Sequence, residues 1–572
     1  MRSSQSLVAI CSLLSLSGGT AASSDSEAVI ENANHIFNVI HDSMRQWGSS
    51  LHHNGVSFFL ANVPAGTQLY HGTSKSTPVN GTEWLAFEPE HAMVFARPHM
   101  GPRPRRPENG ERPEDGDDNE KERGHHEELR RRQHHPPGDK PPGPPPHSPP
   151  GEPPHHPPGP PPPFETFSEN EAGYLHTYAA AKDLRLLYID GMSAAKTNKG
   201  TLDSQDILLF NNTLDDSPKE GQRGRMGEFE RATKACEMAE NEWAGGIDGV
   251  IRMEAGFEVI LCAFERDLTP VRIIQVKSDE RADGPRKGQM HDGHASPRED
   301  EDDGKRRGRP PKGPRRGPPG MGSARWMRAV TARYGGIGGD RVSLNYEHFV
   351  TAYAYDLDLF AENSSLPRLG QVPDAELDVV RKELTALILA HDASETSRNW
   401  QAITDMIVKR YSDELSYLAS GDFADIKSLH DHIETLLSPF IDYSERDTTS
   451  EANRCATQFL PLETQDSHVL AARAVHGVAH RVCSTLLAAW TEEDLESAVQ
   501  NVQALIDYLD WTSWKECRGC ENHEICVVPI WPMGSVADYE KPTCREASRP
   551  YDEDGDSYWG GIHPCFLQFG SI

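Results

Sequence analysis

Glu258 stands near the start of the run Phe257-Glu258-Val259-Ile260-Leu261-Cys262-Ala263-Phe264, whose β-branched and aromatic residues favour a strand. Strict alternation puts Phe257, Val259 and Leu261 on one face and Glu258, Ile260 and Cys262 on the other, so a carboxylate projects from the strand's start. The preceding stretch, Asp248 to Met253, reads as a partner strand joined through a turn at Ala255-Gly256. A lone strand Glu is most simply a solvated one. A chemical role for Glu258 requires partners from elsewhere in the chain.

Other candidates are weaker. Gly191-Met192-Ser193-Ala194-Ala195-Lys196-Thr197 has the outline of a phosphate-binding loop, but Ala195 stands where glycine must precede the Lys for backbone amides to curl around a phosphate, and the reading is rejected. His476 and His480 are one helical turn apart, but with no carboxylate or third His at a matching offset they read as a polar helix face. Cys517-x-x-Cys520, with Cys526, Cys544 and Cys565 beyond it, is open to two readings. Zinc would need four thiolates kept reduced, so disulfides clamping an irregular tail are expected. Arg307-Gly308-Arg309-Pro310 resembles an AT-hook, but it follows a secretory start and reads as a processing site or spacer.

The elements that must position these residues fall into blocks. An apolar stripe of Ile30, Ala33, Phe37, Ile40, Met44 and Trp47 predicts one amphipathic helix over 27–47, ended by Gly48. Strands are expected at Val56 to Leu60, Thr67 to His71 running into Gly72-Thr73, and Trp84 to Glu88, with Pro89 starting a helical turn. Residues 97–163 consist of Pro, Gly, His and charge and read as a disordered insertion. Strands resume at Gly173 to Tyr178 and Leu184 to Ile189, a helix covers Arg231 to Trp243, and Leu268 to Lys277 is a last strand. A second low-complexity tract spans 278–322. Beyond it, apolar residues at helical spacing (Leu377, Val380, Leu384, Leu387; Trp400 to Leu418; Ile426 to Phe440; Val475 to Leu486; Leu495 to Leu509) predict an all-α bundle over 323–510, and 511–572 forms a Cys-rich tail.

Composition bounds the function. The formal charge of -30, from 58 basic and 88 acidic residues, opposes nucleic acid or an anionic membrane as partner. Arg2, the apolar run from Leu7 to Leu16 and the small residues Thr20-Ala21-Ala22 predict a cleaved secretory signal over 1–22 and a secreted, extracellular product. The nine cysteines outside that segment and sequons at Asn80, Asn211 and Asn363 fit the same route. A Cys236–Cys262 pair would join the helix to the Glu258 strand, and at least two disulfides are expected among the seven cysteines from Cys455 onward.

Taken in order, strand Leu69-Tyr70-His71-Gly72-Thr73, strand Trp84-Leu85-Ala86-Phe87, a helix with Ala92 and Phe95, strand Leu184 to Ile189, and Glu258-Val259-Ile260-Leu261 before Val271-Arg272-Ile273-Ile274 resemble the ADP-ribosyltransferase fold in its His-Gly-Thr branch. The resemblance covers roughly 50–96 and 170–277. It implies a split-sheet α+β domain over 23–96 plus 164–277, with NAD as substrate and no metal. It further implies that His71 binds the NAD ribose, that Gly72 and Thr73 belong to the nicotinamide-binding strand, that Phe87 stands in the place of a stacking aromatic, and that Glu258 stabilises an oxocarbenium-like transition state. The chain departs from that pattern in the ten residues between Thr73 and Trp84 and in Phe87 or Ala86 for the expected Tyr. The whole chain also resembles a group of secreted fungal proteins of uncharacterised activity. Two functions follow as expectations: an extracellular NAD-dependent ADP-ribosyltransferase or NAD glycohydrolase acting on a protein or small-molecule acceptor, or a non-catalytic binding or cell-wall and matrix-associated structural protein on the same scaffold. The placement of His71 relative to Glu258 discriminates them.

Overall fold

The computed structural model describes residues 31–97, 173–214, 227–276 and, with short breaks, 321–560. The predicted signal, the insertion from 98 onward, nearly all of the 278–322 tract, Asn363 and Cys565 lie outside the described residues.

Among the described residues nine strands form one sheet: β1 (Asn54–Val63), β2 (Gln68–Thr73), β3 (Glu83–Ala86), β4 (Gly173–Ala180), β5 (Leu184–Gly191), β6 (Gly249–Met253), β7 (Phe257–Leu261), β8 (Leu268–Val276) and β9 (Ser343–Thr351). Their order is β8-β4-β2-β3-β7-β6-β5-β1-β9, and every neighbouring pair is antiparallel except β5 with β6. The sheet is continuous rather than split. β1 runs Ser57-Phe58-Phe59-Leu60-Ala61, apolar on both faces, and such a run is stable only where both faces are covered. It accordingly lies inside the sheet, between β5 and β9.

β9 corrects the expectation of an all-α C-terminal half. Leu344, Tyr346 and Val350 recur with period two, and the strand extends the sheet beyond β1 from within the region read as helical. The remaining predicted helices are present, among them Asp374–Leu389, Trp400–Leu418, Ile426–Leu437, Leu470–Thr491 and Leu495–Leu509, each burying its apolar stripe. No helix among the described residues is long and apolar enough to cross a membrane.

The helix predicted over 27–47 is two helices, Ala33–Asp42 and Gln46–Leu51, with Met44 between them at φ 55°. Ile36, Phe37 and Ile40 are fully buried, each contributing roughly 1.5–3 kcal/mol, so packing outweighs the few tenths that helix propensity offers for continuing the coil. The break lets the Met44 amide donate to the Tyr188 hydroxyl at 3.1 Å. Gly48 is no stop. A Cβ there would lie 2.4 Å from the Asp42 Cβ, so glycine permits the second helix to fold back on the first.

Chain positions drawn apart at 277 and 323 share one hydrophobic core, in which Phe37, Phe59, Val259, Val478 and Leu486 all participate. The Asn38 amide donates to the Leu509 carbonyl at 2.9 Å, and Thr512 Oγ1, 470 residues from its partner, donates to Asp42 at 2.8 Å. His52 sits between Asp42, at 2.7 Å, and Asp510, at 3.1 Å. Burial works against its charge, but the hydrogen bonds to both carboxylates raise its pKa to about 10. Among the described residues four disulfides brace the unit: Cys236–Cys262, Cys455–Cys483, Cys517–Cys526 and Cys520–Cys544.

Candidate functional site

The register of three strands decides which residues can meet. Tyr70 of β2 pairs with Ala86 of β3, and Ala86 pairs with Glu258 of β7. Directly opposed residues point to the same side of a sheet, so Tyr70, Ala86 and Glu258 share one face. His71, the next residue along β2, faces the other way. His71 and Glu258 therefore lie on opposite faces of the sheet and do not converge on one cleft.

On its own face His71 is opposed by His176 of β4, with ring centroids 5.8 Å apart, and Phe264 lies edge-on at 5.7 Å. The Trp84 carbonyl can only accept, so His71 Nδ1, 2.7 Å away, carries the proton and Nε2 presents a lone pair. Burial, reinforced by His176 and Lys75, lowers the His71 pKa to about 4, and the ring is neutral at physiological pH. His176 is treated alike: its Nε2 donates to the Lys75 carbonyl at 2.7 Å, its Nδ1 accepts from the Tyr178 hydroxyl at 3.0 Å, and burial lowers its pKa.

Gly72 is held by the chain's own backbone. A Cβ at Gly72 would lie 1.9 Å from the Ala92 carbonyl oxygen, and one at Gly173 of β4 would lie 2.0 Å from the Ala96 oxygen. Both glycines let segment 92–97 press onto the sheet, and that segment covers the backbone expected to bind nicotinamide. Thr73 is buried and accepts from the Lys75 amide at 3.3 Å. Phe87 is fully buried in the main core, its carbonyl accepting from Arg341 Nη1 at 2.9 Å. Its ring packs where a stacking residue would have to be open.

Glu258 is neither solvated nor free. Arg252 opposes it across the β6–β7 hairpin and donates Nε–H to Glu258 Oε1 at 2.7 Å. The same guanidinium, with a fully buried side chain, donates Nη1 to Gln205 Oε1 at 2.9 Å and Nη2 to Glu228, the first residue of helix Glu228–Asn241. Lys196, from the loop after β5, lies 2.7 Å from Glu228 and 3.0 Å from Glu254 in the hairpin turn. Glycine before Lys196 was the missing phosphate-loop feature, and the ammonium here serves carboxylates of its own chain.

The electrostatics follow from a count. Glu228, Glu254, Glu258 and Asp206 bring four negative charges, and Lys196, Arg231 and Arg252 bring three positive. Burial raises the Glu254 pKa to about 7, with Glu258 and Glu228 adding to it against Lys196. Burial also raises Glu258, although Arg252 opposes it. For Glu228 burial acts upward too, but Arg252, Lys196 and Arg231 hold the carboxyl well below the ordinary range. A proton on Glu254 balances the cluster. The three Glu carboxylates lie within 4.8 Å of one another, as in a metal site, but Lys196 and Arg252 already supply the cations.

Sequence reasoning missed Arg252, Lys196, Glu228 and Glu254. Arg252 was within reach, because a hairpin turning at Ala255 makes 252 and 258 cross-strand partners. Lys196 and Glu228 had no such local signal. The cavities of about 420 Å³, beside Trp243 and Arg381, and about 330 Å³, beside Trp47 and Cys517, are lined by none of His71, Gly72, Thr73, Phe87 and Glu258. His476 lies 5.9 Å from His480, ring to ring, with its Nε2 3.5 Å from Asn453 Oδ1.

Residues 26–306 match the sequence model of a family described as the YPL277C N-terminal domain. The first half of this chain is similar to a fungal protein family. Two Saccharomyces cerevisiae relatives, uncharacterized proteins YOR389W and YPL277C, are each 35% identical to it, over 243 and 241 residues. Each match covers 41% of this chain, and 32% and 42% of the respective relatives, so the chain spans less than half of their length. The YPL277C-type region takes in β1 to β8 and both faces of the candidate site, and it stops before β9. No solved structure matches the chain.

Proposed function

We infer that this is a secreted, non-catalytic binding protein on a disulfide-braced α+β body. The observation that carries the reading is the opposition of His71 and Glu258 across the sheet. NAD cleavage would need a carboxylate facing the developing positive charge. Here Glu258 faces Arg252, and Ala92 covers Gly72. Secretion is supported by the signal-like start, by exposed sequon residues Asn80 and Asn211 and by the four disulfides, which are compatible with an oxidising route. The surface best suited to a partner is the outer edge of β8, at the end of the sheet, where Val271 is 53% and Ile274 is 41% exposed. Among the described residues no strand pairs with that edge, and such an edge offers main-chain hydrogen bonds to an extended segment of another polypeptide.

The test is NAD consumption by the purified full-length protein, with and without Glu258→Gln. Wild type is expected to consume no NAD above a heat-denatured control, and the substitution is expected to lower the melting temperature by disturbing the Arg252 pair. Wild-type cleavage that Glu258→Gln abolishes in a folded protein would overturn the reading in favour of an ADP-ribosyltransferase or NAD glycohydrolase.

A further inference from the structure

We propose that the tail carries a reduction-gated site for a soft divalent cation such as Zn²⁺, built from Cys517, Cys520, Cys526 and Cys544. The Sγ atoms of Cys517, Cys520 and Cys544 lie within 4.8 Å of one another, and Cys526 is bonded to Cys517. Four thiolates around tetrahedral zinc, at Zn–S about 2.3 Å, sit roughly 3.8 Å apart. Cys520 and Cys544 are bonded to each other, as Cys517 and Cys526 are, so the sulfurs stand clustered and reach that spacing once both bonds open.

The backbone suits this geometry. Cys526 and Cys544 are directly opposed in the hairpin formed by β10 (Glu524–Val527) and β11 (Thr543–Glu546), so both sulfurs leave the same face. Cys517 and Cys520 approach from a turn whose Gly519 has φ +73°, a left-handed conformation that glycine adopts without strain. The Cys517 amide already points at Cys526 Sγ, at 3.2 Å, and an N–H aimed at sulfur favours thiolate over thiol. A cavity of about 330 Å³ opens beside Cys517, Cys520 and Cys526, giving solvent a path to three of the four sulfurs. Cys455 and Cys483, by contrast, are fully buried.

The exchange balances. Each disulfide takes two electrons and two protons from a dithiol reductant, which closes to its own cyclic disulfide, and the four thiols then release four protons as Zn²⁺ binds. A two-stranded hairpin is at best marginal on its own. Two disulfides or one metal ion fasten residues 517–520 to it equally well, so the tail keeps its fold in either redox state.

The experiment uses the full chain, treated anaerobically with dithiothreitol, freed of reductant and titrated with Co²⁺ as a spectroscopic stand-in for Zn²⁺. The expected result is about one Co²⁺ per chain with intense sulfur-to-cobalt charge-transfer absorption and tetrahedral visible bands, displaced by Zn²⁺. Neither the unreduced protein nor the reduced Cys520→Ser/Cys544→Ser variant should show these bands, whereas reduced Cys236→Ser/Cys262→Ser should. The histidines of the 97–163 tract bind Co²⁺ without a sulfur band, so the absorption separates them. Circular dichroism before and after reduction follows the fold. Absence of the band in reduced protein overturns the proposal, whether the tail stays folded or unfolds and is not restored by metal. A band that persists in Cys520→Ser/Cys544→Ser overturns it as well.

Discussion

On the face of the sheet that carries Glu258, Arg252 is buried as a cation between Glu228 and Glu258, whereas across the same strands His71 and His176 are buried as neutral rings. The two faces differ in what each group could find nearby. Arg252 reaches two carboxylates and an amide oxygen and cannot shed its proton, so its pairs must stay. An imidazole can shed its proton, and hydrogen bonds to the Trp84 and Lys75 carbonyls then satisfy one nitrogen of each ring. Perturbed ionisable groups are hallmarks of active sites, but structural networks perturb them too, and here each one has a partner within its own fold.

The contrast breaks hardest at Arg252. Arg252→Met leaves Glu228 and Glu258 buried without their shared cation and should cost about 3–5 kcal/mol in urea unfolding, with much of it recovered in Arg252→Met/Glu258→Met. A loss below about 1 kcal/mol would mean that the network is hydrated and weak.

The next effect is one of pH. Because the folded Glu254 pKa is raised from 4.5 to about 7, the folded state holds a proton that the unfolded state has lost, and stability falls as pH rises through that window. The fall attributable to Glu254 is at most about 3 kcal/mol. Asp190, raised by burial to about 7, tilts wild type and Glu254→Gln alike, so the difference between their pH profiles isolates Glu254. Parallel profiles from pH 4.5 to 7 would show that the proton resides elsewhere in the cluster.

The smallest effect sharpens the other face. His71→Phe removes the bond to the Trp84 carbonyl and should cost about 1 kcal/mol. Because the folded pKa of about 4 lies below the 6.5 of the unfolded ring, wild type loses stability as pH falls from about 8 to 5 and the Phe variant does not, so the cost should shrink toward pH 5. A cost that stays flat across that range would mean that His71 keeps its ordinary pKa in the folded state.

Much of the sheet was legible because its strands are dense in β-branched and aromatic residues. β5, β6, β7 and β8 fall where Leu184, Gly249, Phe257 and Leu268 begin their runs. The order of strands was not legible, since Tyr70, Ala86 and Glu258 come together only through non-local pairing, and a shift of one residue would have turned Glu258 to the other face. β9 was hidden by its setting between helical stretches, where Ser343, Asn345 and Glu347 interrupt its apolar residues. The break at Met44 was hidden because its cause, the Tyr188 hydroxyl, is 144 residues away. Of the candidate site, the β6–β7 hairpin could be read locally and the Cys236–Cys262 pair stood as a possibility, whereas the pairing of the later cysteines depends on which segments the fold brings together. The meaning of Gly72 could not, because what approaches it is the backbone of Ala92.

The contact between Asp42 and Thr512 joins positions 470 residues apart, and it sets a clock. At the roughly 5–20 residues per second of protein synthesis, the helix Ala33–Asp42 waits about 25 to 95 s for the segment that covers it. Throughout that interval Ile36, Phe37 and Ile40 have no native surface to bury against on helix Leu470–Thr491, and Asp42 lacks its Thr512 donor. The nascent chain therefore carries part of an adhesive apolar face for most of its own translation, and a chain released before Leu470 leaves helix Ala33–Asp42 without its largest docking surface.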